Sequence, residues 1–191
     1  MIIENVYVAA TDENVLRETI GKKLFKISSE DSSNFSTDFM WTIYFDFEDL
    51  YFKIERTDIV AKLFNEDEDG GIPTAEKIPR DSRYEKFTKN INRVVQDVLV
   101  VIDTFEFSNY KVTYPKAIIF QFDDCNLVIE KLWLFSLAGF LVFLDSPDAE
   151  NYGLTDEMQF WYDTAEDDEK PSATQKIKSL KQNKFIAEVE L

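Results

Sequence analysis

The segment from Ser82 to Phe105, SRYEKFTKNINRVVQDVLVVIDTF, carries the longest unbroken period in the chain and so constrains the fold most. Its apolar side chains recur at Tyr84, Phe87, Ile91, Val94, Val95, Val98, Leu99, Ile102 and Phe105, spacings of three and four that stack on one face of an α-helix. Ser82 and Glu85 have the form of a capping box, and Pro79 stops a helix from running in from upstream. At 1.5 Å per residue such a helix covers roughly 35 Å, enough to cross a small sheet. The spacing therefore predicts one long core helix over about 82–105. Its polar side, with Lys86, Lys89, Asn90, Arg93 and Asp97, is mixed in sign.

The rest of the chain supplies strands for that helix to cover. Ile2–Ala9 reads as a first strand, followed by a short helix over Glu13–Ile20 that Thr11 or Asp12 can cap and Gly21 ends. Leu24–Ile27 is a short strand before a serine-rich loop at 28–37. Phe39–Arg56 alternates as a hairpin with its turn at Glu48-Asp49 and aromatics on both faces, so its outer face is either capped by a loop or offered to a partner. Asp58–Phe64 fits a strand or a two-turn helix. Ala117–Phe122 and Leu127–Trp133 flank a turn at Asp123–Asn126, and Phe140–Leu144 and Met158–Asp163 read as further strands. A charged linker at 164–173 leads to a helix over 174–182 and a last strand, Phe185–Val189. The expected fold class is α+β: a single domain over 1–191, mainly antiparallel β-sheet, with the 82–105 helix packed across one face and short helices near both ends.

Composition restricts function more than it identifies it. Thirty-seven acidic against twenty-one basic residues give a formal charge of −16, which repels nucleic-acid phosphates and anionic membranes and favours a basic partner. The longest apolar run, Leu132–Leu144, is thirteen residues, short of the roughly 18–20 needed to span hydrocarbon, and reads as buried strand. A single cysteine, Cys125, fits a reducing compartment, and MIIENVYVAATDE lacks the basic region of a secretory signal, so the expected location is the cytoplasm. The lysines at 170, 176, 178, 181 and 184 would be held against the acidic body by charge.

Catalytic chemistry has few candidates here. The chain has no histidine, which removes triad hydrolysis through His and the commonest ligand of catalytic zinc. Cys125 lies beside Asp123 and Asp124, which disfavour its thiolate, and no Gly-rich phosphate loop is present. Asp123 and Asp124 could serve as a carboxylate pair, as could Asp46 and Glu48, although turns and solvent faces attract the same residues. The loop at 65–76, NEDEDGGIPTAE, has the spacing of a twelve-residue calcium loop, with Asn65, Asp67, Asp69 and Glu76 as ligands and Gly70 at the turn. Pro73 inside it, Pro79 after it and Asn65 in its first position depart from that pattern.

As a whole the chain resembles the immunity proteins of bacterial polymorphic and contact-delivered toxin systems. The resemblance is carried by its size, its lack of catalytic groups, the acidic stretches Glu66–Asp69 and Glu166–Glu169, and the aromatic strands FMWTIYFDF and MQFWYD. It implies no functional residue one by one. What it implies is a cytoplasmic, non-catalytic binding protein that covers the basic active site of a cognate toxin, steered by charge and anchored by Tyr or Trp. The partner-facing residues expected on this basis are Trp41, Tyr44, Asp46, Glu48, Asp49 and Tyr51 on the hairpin, with Trp161, Tyr162 and Asp163 further on. No cofactor is expected unless the 65–76 loop holds calcium. Two other classes remain open: a carboxylate- or metal-dependent enzyme, and a structural or regulatory subunit.

Overall fold

Residues 82–105 do not form a helix. A single 3₁₀ turn, Ser82–Tyr84, is followed by two strands, β6 (Phe87–Val94) and β7 (Asp97–Glu106). The computed structural model describes residues 2–5, 10–31, 35, 39–63, 66–106, 110–131, 139–146 and 172–190. The physical reason for the departure lies in burial. Val98 and Val100 face the main core while Leu99 and Val101 pack on the opposite side, all four buried. A strand buried on both faces gives a continuous apolar run, which satisfies a helical spacing as readily as an extended one. Between β6 and β7 the chain passes from one sheet to the other, and Asn92 takes a φ of 57°, outside the helical range. The β-branched content of NINRVV and VLVVIDT favours the extended state.

The fold is therefore β-rich rather than α+β. The remaining strands are β1 (Ile2–Asn5), β2 (Lys23–Ser29), β3 (Thr42–Phe47), β4 (Tyr51–Leu63), β5 (Glu66–Lys77), β8 (Tyr110–Gln121), β9 (Asn126–Lys131), β10 (Phe140–Ser146), β11 (Ser172–Ser179) and β12 (Lys184–Glu190). Among the described residues, α1 (Ala10–Arg17) is the one α-helix. The helix expected over 174–182 is instead β11, where Ala173, Gln175, Ile177 and Ser179 are buried and the lysines between them are not. That is a two-residue period. The strand expected at Met158–Asp163 and most of the 164–173 linker lie outside the described residues.

Two antiparallel sheets result, one ordered β10-β9-β8-β7-β11-β12 with β1 pairing parallel to the start of β8, the other β5-β4-β3-β2-β6. Ile43, Phe45, Phe52 and Ile54 of the five-stranded sheet share a core with Val98, Val100, Ile118, Phe120, Leu127 and Ile129 of the seven-stranded one. Phe45 stacks on Phe52 at 4.7 Å and reaches Phe120 across the gap at 5.1 Å. Each such ring removes about 1.5–3 kcal/mol worth of apolar surface from water. The sheets also join at one margin, where Met40 and Phe140 exchange backbone hydrogen bonds.

Two tethers fix the C-terminal hairpin. Asp97 accepts from the Lys181 amide at 3.0 Å and the Ser179 hydroxyl at 2.5 Å, and Lys178 reaches Glu13 of α1 at 2.7 Å. No helix among the described residues is long and apolar enough to cross a membrane.

Candidate partner-binding surface

Strand alternation sorts the hairpin residues of β3 and β4 onto two sides. Ile43, Phe45, Phe52 and Ile54 point into the core, so Tyr44, Asp46 and Tyr51 point away from it. These three come together but are not presented to solvent: Tyr44 is 6% exposed, Asp46 8% and Tyr51 5%. Residues 78–86 cross over them. Tyr84 stacks on Tyr44 at 4.8 Å, and Arg80 pairs with Asp46 at 2.7 Å while lying 6.0 Å above the Tyr51 ring. Burial, with Glu30 hydrogen-bonded at 2.6 Å, raises the Tyr44 phenol well above its ordinary value. Burial, with Glu85 nearby, pushes Tyr51 up to about 12. Of the two alternatives for the hairpin's outer face, the structure has the first: a loop caps it.

Glu48 and Asp49 sit on the exposed turn, where the Lys22 ammonium at 2.9 Å holds the Asp49 carboxyl below its ordinary range. Trp161, Tyr162, Asp163 and Asn65 lie outside the described residues.

Trp41 is different. It is 48% exposed, at the entry to β3, and its ring is covered on one side by the Arg56 guanidinium, 4.9 Å from the ring centroid. The Arg56 side chain is itself 4% exposed, pairs with Asp58 at 2.5 Å and lies across the backbone of β5 at Gly70 and Gly71. A Cβ at residue 71 would run into the Arg56 side chain. Gly71 thus leaves room for this path of the arginine, and the glycine pair of NEDEDGG serves as its bed. Trp41, Arg56, Asp58, Asp69 and Gly70 line a pocket of about 370 Å³, with the Asp58 side chain largely exposed.

The segment expected to wrap a cation is extended. Asp69 stands opposite Val60, Asp67 opposite Lys62 and Glu76 opposite Lys53, whose ammonium it meets at 3.2 Å. Seven residues of strand put Asp69 and Glu76 about 23 Å apart, so they do not converge on one ion. Among the described residues no three acidic or cysteine side chains are grouped as a metal site. Pro73 is accommodated because β5 is an edge strand with no described partner beyond it. Asp123 and Asp124 form an exposed turn in which Asp124 pairs with Arg93 at 3.2 Å, and Cys125 is buried beside it.

Past Arg56, β4 and β5 pair only with each other among the described residues. This two-stranded ribbon carries Asp58, Val60, Glu66, Asp67, Glu68 and Asp69, with Asp58 and Val60 largely exposed. An exposed indole at the base of a ribbon rich in acidic residues is a surface that can anchor an aromatic contact and attract cationic side chains. Arg56, Asp58 and Gly71 were not among the residues singled out from sequence. The hairpin register could have found the first of them, because a turn at 48–49 that places Asp46 opposite Tyr51 also places Trp41 opposite Arg56.

Comparison with known proteins adds no relative: no family model, no curated protein and no solved structure matches the chain.

Proposed function

We propose that this chain is a non-catalytic binding protein that neutralises a cognate bacterial toxin in the cytoplasm by covering its basic active or substrate-binding site. The observation that carries the reading is the exposed Trp41 ring, backed by the buried Arg56 and set at the base of the acidic β4–β5 ribbon. A tryptophan held rigid on one side loses little freedom when its other side is covered, which is the character of an interface anchor. The formal charge of −16 steers a basic partner toward this surface over distances that salt screens. The partner is a protein with a basic cleft rather than nucleic acid or membrane.

The test is co-expression of the chain with the product of its neighbouring reading frame, followed by affinity measurement on the purified pair. Protection of the cells and a complex whose association slows steeply with salt are expected. Trp41→Ala is expected to cost about 2 kcal/mol or more, roughly 30-fold in affinity. A neighbouring product that is neither toxic nor bound removes the toxin reading, and a complex insensitive to Trp41→Ala moves the interface elsewhere.

A further inference from the structure

The segment 78–86 is an unusual cover. None of its described side chains is fully buried, and its apolar contact with the body it crosses is carried by the partly buried Ile78 and Tyr84. Charge, stacking and a backbone hydrogen bond from Ile78 to the Tyr51 carbonyl at 3.2 Å hold it instead. Arg80 pairs with Asp46 and donates to the Phe47 carbonyl at 2.5 Å, Lys26 pairs with Glu85 at 2.6 Å, and Tyr84 lies flat on Tyr44, the two rings 4° from parallel. What it covers is polar. The Ser28 and Tyr51 hydroxyls lie beneath it, beside each other, with the Asp46 carboxylate, which Arg80 and Lys26 neutralise at 2.7 and 3.6 Å. Covering polar groups that water would also satisfy yields little net free energy, so a segment held this way opens at low cost.

We infer that residues 78–86 are a displaceable strap over a second docking face, and that Arg80 occupies the slot that an arginine of a partner peptide takes when the strap lifts. The slot has the components that select a guanidinium: the Asp46 carboxylate, the carbonyls of Phe47 and Glu48 at 2.5 and 3.4 Å, and the Tyr51 ring alongside. A planar fork can engage carboxylate and carbonyls together while lying over an aromatic ring, whereas an ammonium cannot. Tyr44 and Tyr51, themselves 6.3 Å apart and stacked, then offer an aromatic floor to the rest of the incoming segment. The strap lowers the apparent affinity for such a segment by the fraction of time it is open. This face is on the opposite side of the five-stranded sheet from Trp41 and does not rest on the toxin reading.

The probe is a hexa-arginine peptide, titrated into the full chain and variants by calorimetry. Arg80→Ala is expected to bind it at least about tenfold more tightly than the parent chain, because the internal competitor is gone. Arg83→Ala makes the same change in net charge, but Arg83 is 83% exposed and pairs only with Asp81 among the described groups, so it should stay within about twofold of the parent. Adding Asp46→Asn to Arg80→Ala should abolish the gain, whereas adding Trp41→Ala should leave it intact. Equal gains in the Arg80 and Arg83 variants, or no gain in either, would overturn the proposal, since charge alone would then explain the binding. Amide exchange on the unmodified chain gives an answer even if Arg80→Ala fails to fold. The peptide should accelerate exchange in residues 80–86, and protection or no change there refutes displacement.

Discussion

Asp103 is fully buried on the side of β7 that faces away from the main core, where Gln175 donates to one carboxylate oxygen at 2.8 Å and the other has no hydrogen bond among the described residues. Burial pushes its pKa up to about 6, against the Gln175 hydrogen bond and the charge of Lys116 and in concert with Glu130. A carboxyl whose folded pKa exceeds its ordinary 3.8 keeps a proton that the unfolded chain gives up. Stability from this group is therefore full at low pH and falls as pH rises from about 4 through about 6, by about 3 kcal/mol in total. Asp103→Asn removes that loss while keeping an acceptor for Gln175. It should stabilise the chain by about 1–3 kcal/mol near pH 8 and flatten the dependence between about pH 4 and 6 in urea denaturation. A destabilised variant at pH 8 would mean that the carboxylate is well paired by Lys116. No periodicity marks Asp103 in advance, since its cost arises from burial, and Gln175, which lies over it, is distant in sequence.

At the scale of elements, the join between the two sheets is the point most sensitive to a single methyl group. Gly139 precedes β10 directly against the Met40 backbone, and a Cβ there would collide with the Met40 carbonyl. Gly139→Ala should force Met40 and Phe140 apart and cost about 1–3 kcal/mol, read as a lowered thermal midpoint. A neutral substitution would mean that this bridge does not persist in solution. Elements whose pairing is local were legible in sequence. The β3–β4 and β8–β9 hairpins show alternation and turn chemistry within one short stretch, and both formed near their expected positions. β6 and β7 were not legible, because the first is a half-exposed edge strand and the second is buried on both faces. Joined end to end, their apolar residues imitate the three-and-four spacing of one helix. β11 was missed because its lysines suggested a solvated helix, while their two-residue alternation was the better indicator. At the margin, β12 carries a register shift against β11 and charged residues at 184, 188 and 190, devices that discourage pairing with other chains.

For the whole molecule, charge is the dominant long-range term. Many basic side chains are already paired, including Lys22, Lys26, Lys53, Arg80, Arg93 and Lys178, so the surplus acidity is left to repel itself. Raising ionic strength from about 0.01 to 0.1 M shortens the screening length from roughly 30 to 10 Å. The thermal midpoint should then rise by about 2–4 °C, the equivalent of roughly 1 kcal/mol for a chain of this size. A fall would show that the surface ion pairs outweigh the repulsion. The charge, the absence of histidine, the hairpin turns and the alternation that separates Trp41 from Tyr44 are properties of the sequence by itself, since each is fixed by residue identity or by spacing within a few positions. Only the tertiary structure decided that 82–105 is two strands in different sheets, that an acidic glycine-bearing stretch is an edge strand under Arg56, and that Tyr44 and Tyr51 are covered while Trp41 is open. The reason is common to all three: exposure and strand pairing are set by neighbours far away in the chain, and the same apolar pattern fits more than one set of neighbours.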